Sequence, residues 1–377
     1  MADYNYFLEN ALAAYNKKGL LRKLKSRSDN VFDFDSNDFL GLACNAELRQ
    51  IVLDTLSLQT NTALFGSTGS RLVSGNFSIL EETETWLADS FKTESTLLCK
   101  SGFEANHIFF GYVPQRFDTI IYDSEIHASI KTTARLSGAT CLSFRHNDID
   151  DLLYKASHAK GNIFIAVESV YSISGDIAPL KKLADICHQH HWLLIVDEAH
   201  TTGLSGSLGE GLCCELGIKN EVFARIHTFG KAVGCAGAVI AGSHALKDFL
   251  INFAVPAIYS TAMPPVQAIA IRKHLEFIQN HPELKLNLLA NIKNFKTQFS
   301  ALGNLDIEKP GHIYPLSIGN ATITKKIALE LNNLNISIKA MLPPTTSGNA
   351  SLLRITIHSQ NNFHEIDYFF NQLRKLL

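Results

Sequence analysis

Between residues 95 and 245, short apolar runs alternate with segments of helical periodicity, and this alternation restricts the chain to few folds. The runs cover residues 96–99, 119–122, 163–167, 193–196, 225–228 and 237–241. Apolar runs of this length suit strands buried on both faces of a sheet, and strands separated by helices pair in parallel. The intervening segments carry the matching period: Leu180, Leu183, Ala184 and Cys187 fall at helical spacing, while Ile130, Ala134 and Leu136 are placed more loosely. The pattern predicts an α/β protein with a parallel or mostly parallel central sheet and helices on both of its faces.

Near Pro264-Pro265 the pattern changes. Residues 266–280 read as a long amphipathic helix that leads into Asn- and Lys-rich helical sequence through residue 300. A strand at 313–318, a helix at 324–334, a strand at 351–357 and a closing helix at 364–377 then predict a smaller α+β domain. The organisation expected is an amino-terminal arm over 1–45, a large domain over 46–273 and a small carboxyl-terminal domain over 274–377. A length of 377 residues has room for all three, and neither a repeat nor a low-complexity linker interrupts them.

Bulk properties exclude several classes. With 46% hydrophobic and 19% charged residues the chain is ordinary globular protein, and a net charge of -2 gives no general attraction to nucleic acid or to an anionic membrane. The seven cysteines, at 44, 99, 141, 187, 213, 214 and 235, contain no C-x-x-C pair, so reduced and mostly buried thiols are expected rather than disulfides or a metal site. Residues 1–10 carry Asp3 and Glu9 and lack the form of a signal peptide, and no run reaches 18 apolar residues. A soluble cytoplasmic protein is the expectation.

Asp197-Glu198-Ala199-His200 closes the run 193–196, which places Asp197 at the carboxyl end of a buried strand, where parallel sheets bind ligands. Thr228-Phe229-Gly230-Lys231 follows about thirty residues later. A carboxylate there needs a partner, and a protonated pyridine nitrogen is one. The matching use for Lys231 is a Schiff base with an aldehyde, and pyridoxal phosphate carries both groups. The same four letters at 197–200 mark one helicase class, but neither G-x-G-x-x-G nor G-x-x-x-x-G-K-[ST] is present, so no loop cradles a nucleotide.

Other strand ends supply compatible groups. Ser101-Gly102-Phe103 follows the run 96–99 and opens a helical segment, an arrangement that offers free backbone N–H groups to a phosphate, although a plain strand-to-helix turn explains it equally well. His127 sits beyond 119–122, as a cap or as a ring that stacks on a flat heterocycle. Glu168 and Ser172 follow 163–167, and Asp197 with His200 and Thr228 with Lys231 complete the row. Arg354 breaks an apolar strand, either as an edge charge facing water or as a fork for a carboxylate, to which Asn37 adds a hydrogen bond or merely a turn. Six cations between Lys17 and Arg27 (Lys17, Lys18, Arg22, Lys23, Lys25 and Arg27) are either a solvated face or a docking surface for an acidic carrier protein or coenzyme A phosphates.

These residues resemble the α-oxoamine synthase family of fold-type I pyridoxal phosphate enzymes. The shared blocks are 36–42, 66–75, 101–103, 127–129, 168–179, 197–203, 228–231, 259–265 and 353–356, spread over nearly the whole chain. Gly66-Ser67-Thr68-Gly69-Ser70-Arg71-Leu72-Val73-Ser74-Gly75 looks most like the member that serves biotin synthesis, and Pro343-Pro344-Thr345 points the same way. Gly234-Cys235-Ala236-Gly237 and Thr345-Thr346-Ser347-Gly348 depart from the family pattern. The resemblance implies that Lys231 bonds the cofactor, Asp197 pairs with its ring nitrogen, His127 stacks on the ring, and His200 and Ser172 bind its phenolic oxygen. It further implies that Gly102, Phe103 and Thr228 hold the phosphate, joined by Ser260 or Thr261 from a second subunit of a homodimer. Asn37 and Arg354 would receive an amino-acid carboxylate, and Arg22 would approach an acyl thioester carried on coenzyme A or on a carrier protein. The activity implied is acyl transfer from a pimeloyl thioester to L-alanine with loss of carbon dioxide. A sibling reaction, with glycine or serine and another acyl chain, is the alternative. No metal is implied.

Overall fold

The computed structural model describes residues 5–17, 20–24, 26, 31–59, 63–302, 311–343, 345–346 and 350–377. Of the sequence features above, Asp3, Lys18, Lys25, Arg27, Pro344, Ser347 and Gly348 lie outside the described residues. The chain divides into two compact units, Met1–Val31 and Phe32–Leu377. Among its described residues the first contains one helix, Tyr6–Lys17, with no buried residue.

The described strands are β1 (Phe32–Asp33), β2 (Ser95–Cys99), β3 (Thr119–Asp123), β4 (Thr140–Phe144), β5 (Ile163–Glu168), β6 (Leu193–Asp197), β7 (Ala224–Thr228), β8 (Ala238–Gly242), β9 (Ile313–Ser317), β10 (Ile336–Ser337), β11 (Lys339–Met341) and β12 (Leu352–Thr356). Seven of them form the central sheet in the order β2-β8-β7-β6-β5-β3-β4. All pairings are parallel except those of β8, which is antiparallel to both β2 and β7. This is the fold expected: α/β, mostly parallel, with helices on both faces.

Alternate residues explain why the strands read as unbroken apolar runs. In β5, Phe164 and Ala166 pack into one core with Phe109, Phe110 and Ile130, while Ile165 and Val167 pack into another with Leu180, Leu183 and Cys187. Side chains that alternate between two faces are both buried when helices cover both faces. Seven strands stand where six runs were legible. The additional one, β4, is an edge strand whose residues are largely half-exposed, so Thr140-Cys141-Leu142-Ser143-Phe144 carries no apolar run. Leu136, grouped above with a helical face, lies past the end of helix Ala128–Ala134 and is exposed.

A third core joins helices Pro265–Asn280, Glu283–Ser300 and Phe363–Leu376 to the antiparallel sheet β11-β12-β9. Phe32–Asp33 pairs with Ile336–Ser337, and Phe34 and Phe39 are fully buried in the same core. These contacts pin residues 32–42 to the carboxyl-terminal part of the chain: the Phe34 carbonyl accepts from Thr356 N, and that of Phe39 from Ser359 N. All seven cysteines are free thiols. The expectation that most are buried is met fully only at Cys99, Cys187 and Cys213, and Cys44 is exposed. No helix among the described residues is long and apolar enough to cross a membrane.

The carboxyl end of β3 is clamped by His146, whose Nδ1 lies 2.9 Å from Asp123 Oδ1 and whose Nε2 lies 3.3 Å from Asp176 Oδ2. Burial alone would lower its pKa, but hydrogen bonds to these two acids outweigh burial and raise it to about 10. A raised pKa stabilises the fold fully below the ordinary histidine value, and the contribution fades as pH climbs towards 10. His146→Gln is therefore expected to cost roughly 1.5–3 kcal/mol at pH 6, the range for hydrogen bonds to charged groups. The gap from the unmutated chain, measured by denaturant unfolding, should close by pH 10; a gap independent of pH would contradict the charged pair.

Candidate active site

Because β2 is antiparallel to β8 and β8 to β7, β2 runs in the same direction as the parallel strands. The carboxyl ends of β2, β3, β5, β6 and β7 thus open along one edge of the sheet, where open α/β sheets bind ligands. Asp197 is the last residue of β6, and Glu168, the last of β5, is its partner in register. Thr228 ends β7, and Lys231 follows three residues on. The sequence row of strand-end groups is a row in space.

Asp197 is held from two sides. Its Oδ1 accepts from the Ala199 N–H at 3.0 Å, and its Oδ2 accepts from Asn106 Nδ2 at 3.2 Å. The same Asn106 nitrogen donates to Ser129 Oγ at 2.9 Å, and that oxygen lies 2.7 Å from His127 Nδ1. A relay of hydrogen bonds therefore ties the imidazole of His127 to the carboxylate of Asp197 through Ser129 and Asn106. His127 also caps helix Ala128–Ala134, accepting from the Ser129 N–H, which is the first of its two sequence readings. Burial pushes its pKa down, and the anion of Asp197 opposes this.

Lys231 is half-buried, and its pKa is lowered to about 8 by burial, against the pull of Asp197 and Glu168. Glu168 is 2% exposed with Oε1 unpartnered, and burial followed by the neighbouring Asp197 raises its carboxyl to about 8. His200 is buried with neither ring nitrogen hydrogen-bonded, and burial drives its pKa well below the usual value. Its ring lies 5.9 Å from Phe39 and 6.3 Å from that of His312, another buried imidazole with an unpartnered Nε2.

Arg354 lies on β12, the central strand of its sheet, and is 7% exposed, which removes the reading of an edge charge facing water. Its Nε donates to the Ser172 carbonyl at 2.6 Å and its Nη2 to Asn37 Oδ1 at 2.9 Å. Arg354 thus brings together residue 172 from the loop after β5 and residue 37 from the amino-terminal segment. At the neighbouring strand end, Ser101 caps helix Gly102–Tyr112 by accepting from Glu104 N–H at 3.1 Å. The Ala105 N–H is taken by the Ser101 carbonyl, which leaves those of Gly102 and Phe103 without an intrahelical partner. A Cβ on Gly102 would come 3.3 Å from Thr228 Oγ1, so glycine lets this helix end sit against that hydroxyl.

Ser260 and Thr261 are placed elsewhere. Lys100 Nζ donates to Ser260 Oγ at 3.0 Å and to the Thr261 carbonyl at 3.1 Å, and both residues line a cavity of about 260 Å3 with Arg71 and Leu72. The segment 66–75 is built into this surface: Ser67 Oγ donates to the Met263 carbonyl at 2.7 Å, and Arg71 forks onto the buried Glu84 at 2.7 and 3.0 Å. Gly75 is needed because a Cβ there would lie 2.2 Å from the Gly69 carbonyl oxygen. Leu72 and Val73 stay exposed on it. Arg22 belongs to the unit Met1–Val31 and is exposed.

Sequence reasoning missed Asn106, Ser129, Phe39 and His312. Asn106 had a signal, being a buried polar side chain in the helical stretch Ala105–Phe110, most of which is apolar. Phe39 and Ser129 fall in the shared blocks 36–42 and 127–129 without a role being read for them, and His312 gave no signal, because their importance lies in which strand end they face.

Residues 29–369 match the family model for class I and II aminotransferases. The chain belongs to this family of pyridoxal phosphate enzymes, on the branch that the α-oxoamine synthase resemblance indicates. It is 32% identical over 378 residues to the 8-amino-7-oxononanoate synthase of Lysinibacillus sphaericus, covering 97% of this chain and 96% of that one. Among solved structures, the 8-amino-7-oxononanoate synthase of Francisella tularensis superposes with a TM-score of 0.79 at 28% identity, over 92% of this chain and 98% of that one. A serine palmitoyltransferase from S. paucimobilis, solved with a pyridoxal phosphate–myriocin adduct, gives 0.88 at 21% identity over 99% and 97% of the two chains, a likeness of fold. The fold is that of the fold-type I pyridoxal phosphate transferases, and the cofactor is pyridoxal phosphate.

The residues at the sheet edge fit that group. An anion held at Asp197, an amine of lowered pKa at Lys231, unpartnered ring nitrogens on the buried His200, and a bare helix end at Gly102 are what a pyridine ring, an aldehyde, a phenolic oxygen and a phosphate require.

Proposed function

We propose that the chain condenses L-alanine with a pimeloyl thioester, carried on coenzyme A or on a carrier protein, to give 8-amino-7-oxononanoate, carbon dioxide and the free thiol, a step of biotin synthesis. The observation that carries this reading is the near-full-length identity, 32% and 33%, to proteins named 8-amino-7-oxononanoate synthase from organisms as distant as Lysinibacillus sphaericus and Emericella nidulans.

Each residue has a task in that reaction. Pyridoxal phosphate supplies the sink for negative charge left on the amino-acid Cα. Lys231 bonds the cofactor between turnovers and, as a free amine of lowered pKa, accepts the Cα proton at Nζ. Asp197 keeps the ring nitrogen protonated, His127 covers the ring face, and His200 and Ser172 bind the phenolic oxygen. The N–H groups of Gly102 and Phe103 with the Thr228 hydroxyl hold the phosphate, joined by Ser260 or Thr261 of a second copy in a homodimer. Arg354 and Asn37 receive the carboxylate of alanine, since the guanidinium keeps further donors beyond those given to Ser172 and Asn37. Arg22, in the basic stretch, approaches the acyl thioester. Bond changes balance: Cα loses a proton, gains the acyl carbon as the C–S bond breaks, loses carbon dioxide and regains a proton.

Release of carbon dioxide, measured for alanine, glycine and serine each with pimeloyl and longer acyl thioesters, tests the assignment. Alanine with the pimeloyl thioester should give the highest kcat/KM. A preference for serine or glycine, or for a long fatty-acyl chain, would assign the chain to a sibling reaction. Arg354→Ala should raise KM for alanine about 10- to 100-fold, the cost of a lost charged hydrogen-bonding partner, with a smaller change in kcat. An unchanged KM would remove Arg354 from the carboxylate site.

A further inference from the structure

Two carboxyl groups end adjacent strands at this site, and the tasks above use only one. Glu168 and Asp197 are register partners on β5 and β6, both are buried, and their surroundings differ. Asp197 takes side-chain and backbone donors on its two oxygens, whereas Oε1 of Glu168 has none. Like charges on neighbouring buried carboxyls oppose each other, so the pair favours one anion and one acid, and the bare Oε1 of Glu168 marks it as the acid.

We infer that Glu168 is carried as an un-ionised carboxylic acid and is a positioning residue that keeps the pocket receptive to the substrate carboxylate. The inference rests on the reading of Arg354 as the carboxylate fork. The charged and titratable groups around Glu168 are Asp197 from β6, Lys231 after β7, His127 before helix Ala128–Ala134, Arg354 from β12 and Tyr171 on its own loop. With Glu168 neutral, Asp35 is the anion left acting on the Arg354 guanidinium, and the fork keeps more of its attraction for an incoming carboxylate. With Glu168 ionised, a second anion beside Asp35 acts on the guanidinium and weakens that attraction. Burial and Asp197 both favour the neutral form, while Lys231 and the backbone N–H groups of His127 and Ser172 pull the other way, leaving the carboxyl poised to about 8. The neutral acid is therefore held at physiological pH and surrendered just above it.

Infrared difference spectra of the full chain, with and without pyridoxal phosphate, test the charge state directly. A protonated-carboxyl C=O band should be present at pH 7, shift on 13C-glutamate labelling, disappear as pH rises through 8 and be absent from Glu168→Gln. The labelling assigns the band to a glutamate even if the variant does not fold. Absence of a glutamate-sensitive band at pH 7 would overturn the inference, whatever the substrate proves to be. For the positioning role, KM for L-alanine is compared between pH 7 and 9. Because the amide stays neutral throughout, the rise should be several-fold steeper in the unmutated holoenzyme than in Glu168→Gln. Parallel profiles would remove the role, whereas failure of alanine as a substrate with the band intact would sink only the proposed reaction.

Discussion

Lys231→Ala will lose turnover by at least about 10²–10⁴-fold, the range for removing a positioned proton-transfer group, and will lose the visible absorption of bound cofactor that borohydride bleaches in the unmutated protein. The expectation follows from where the lysine lies. Its amine stands three residues past the end of β7, lowered to about 8 by burial against the pull of Asp197 and Glu168, so a useful fraction is a free nucleophile at neutral pH. An ordinary lysine is almost wholly protonated there. Lys231→Arg separates charge from chemistry: it restores the cation opposite Asp197 but supplies no nucleophile, and should be as inactive as the alanine variant. Removing the cation has a further consequence of fixed sign. Lys231 lowers the pKa of Glu168, so in Lys231→Ala the Glu168 carboxyl should titrate above its present value of about 8. Turnover near the unmutated level in either variant would withdraw Lys231 from the chemistry.

The fold was legible where burial was complete. Runs such as 163–167 and 193–196 are apolar because helices cover both sheet faces, and their order along the chain followed from the helices between them. What stayed hidden was whatever lay at an edge or depended on distant pairing: β4 is half-exposed, and β1 and β10 are two-residue strands that exist only because Phe32–Asp33 meets Ile336–Ser337. The site divided along the same line. Asp197, Thr228 and Lys231 announce themselves by following apolar runs. Asn106 and Ser129 act by bridging Asp197 to His127 across three elements, a relation with no sequence spacing of its own. Arg354 was ambiguous in sequence because an arginine in a strand either faces water at an edge or is buried with a partner, and only its place on the central strand β12, against Asn37 and Ser172, decides between the two. The helicase-like letters at 197–200 show the converse. Glu198 is turned into the core, where the backbone N–H groups of Leu212 and Cys213 and the Thr201 hydroxyl donate to it, so the motif divides into one acid for the site and one for the fold.

Asp197→Asn separates binding from chemistry at the same edge. The amide is isosteric, and its oxygen can still accept from the Ala199 N–H or from Asn106 Nδ2, so the strand end should keep its shape. What is lost is the charge. Because the anion raises the pKa of both Lys231 and His127, both should fall further below their ordinary values in the variant. Glu168, which the anion raises, should move down towards the carboxylate range. Cofactor should still bind through the phosphate and Lys231 groups, but a ring nitrogen without a fixed anion is a poorer sink for charge at Cα, and loss of one preorganised electrostatic contact is worth about 10²–10³ in rate. The measurement that isolates this step is wash-out of deuterium from L-[2-²H]alanine in the absence of acyl thioester, which needs Cα–H cleavage and nothing later. Exchange should slow by that factor while cofactor occupancy, read by equilibrium dialysis, changes far less. Exchange at the unmutated rate would mean that Asp197 serves only the fold; loss of cofactor in proportion to loss of exchange would make it a binding residue without a separate part in storing charge.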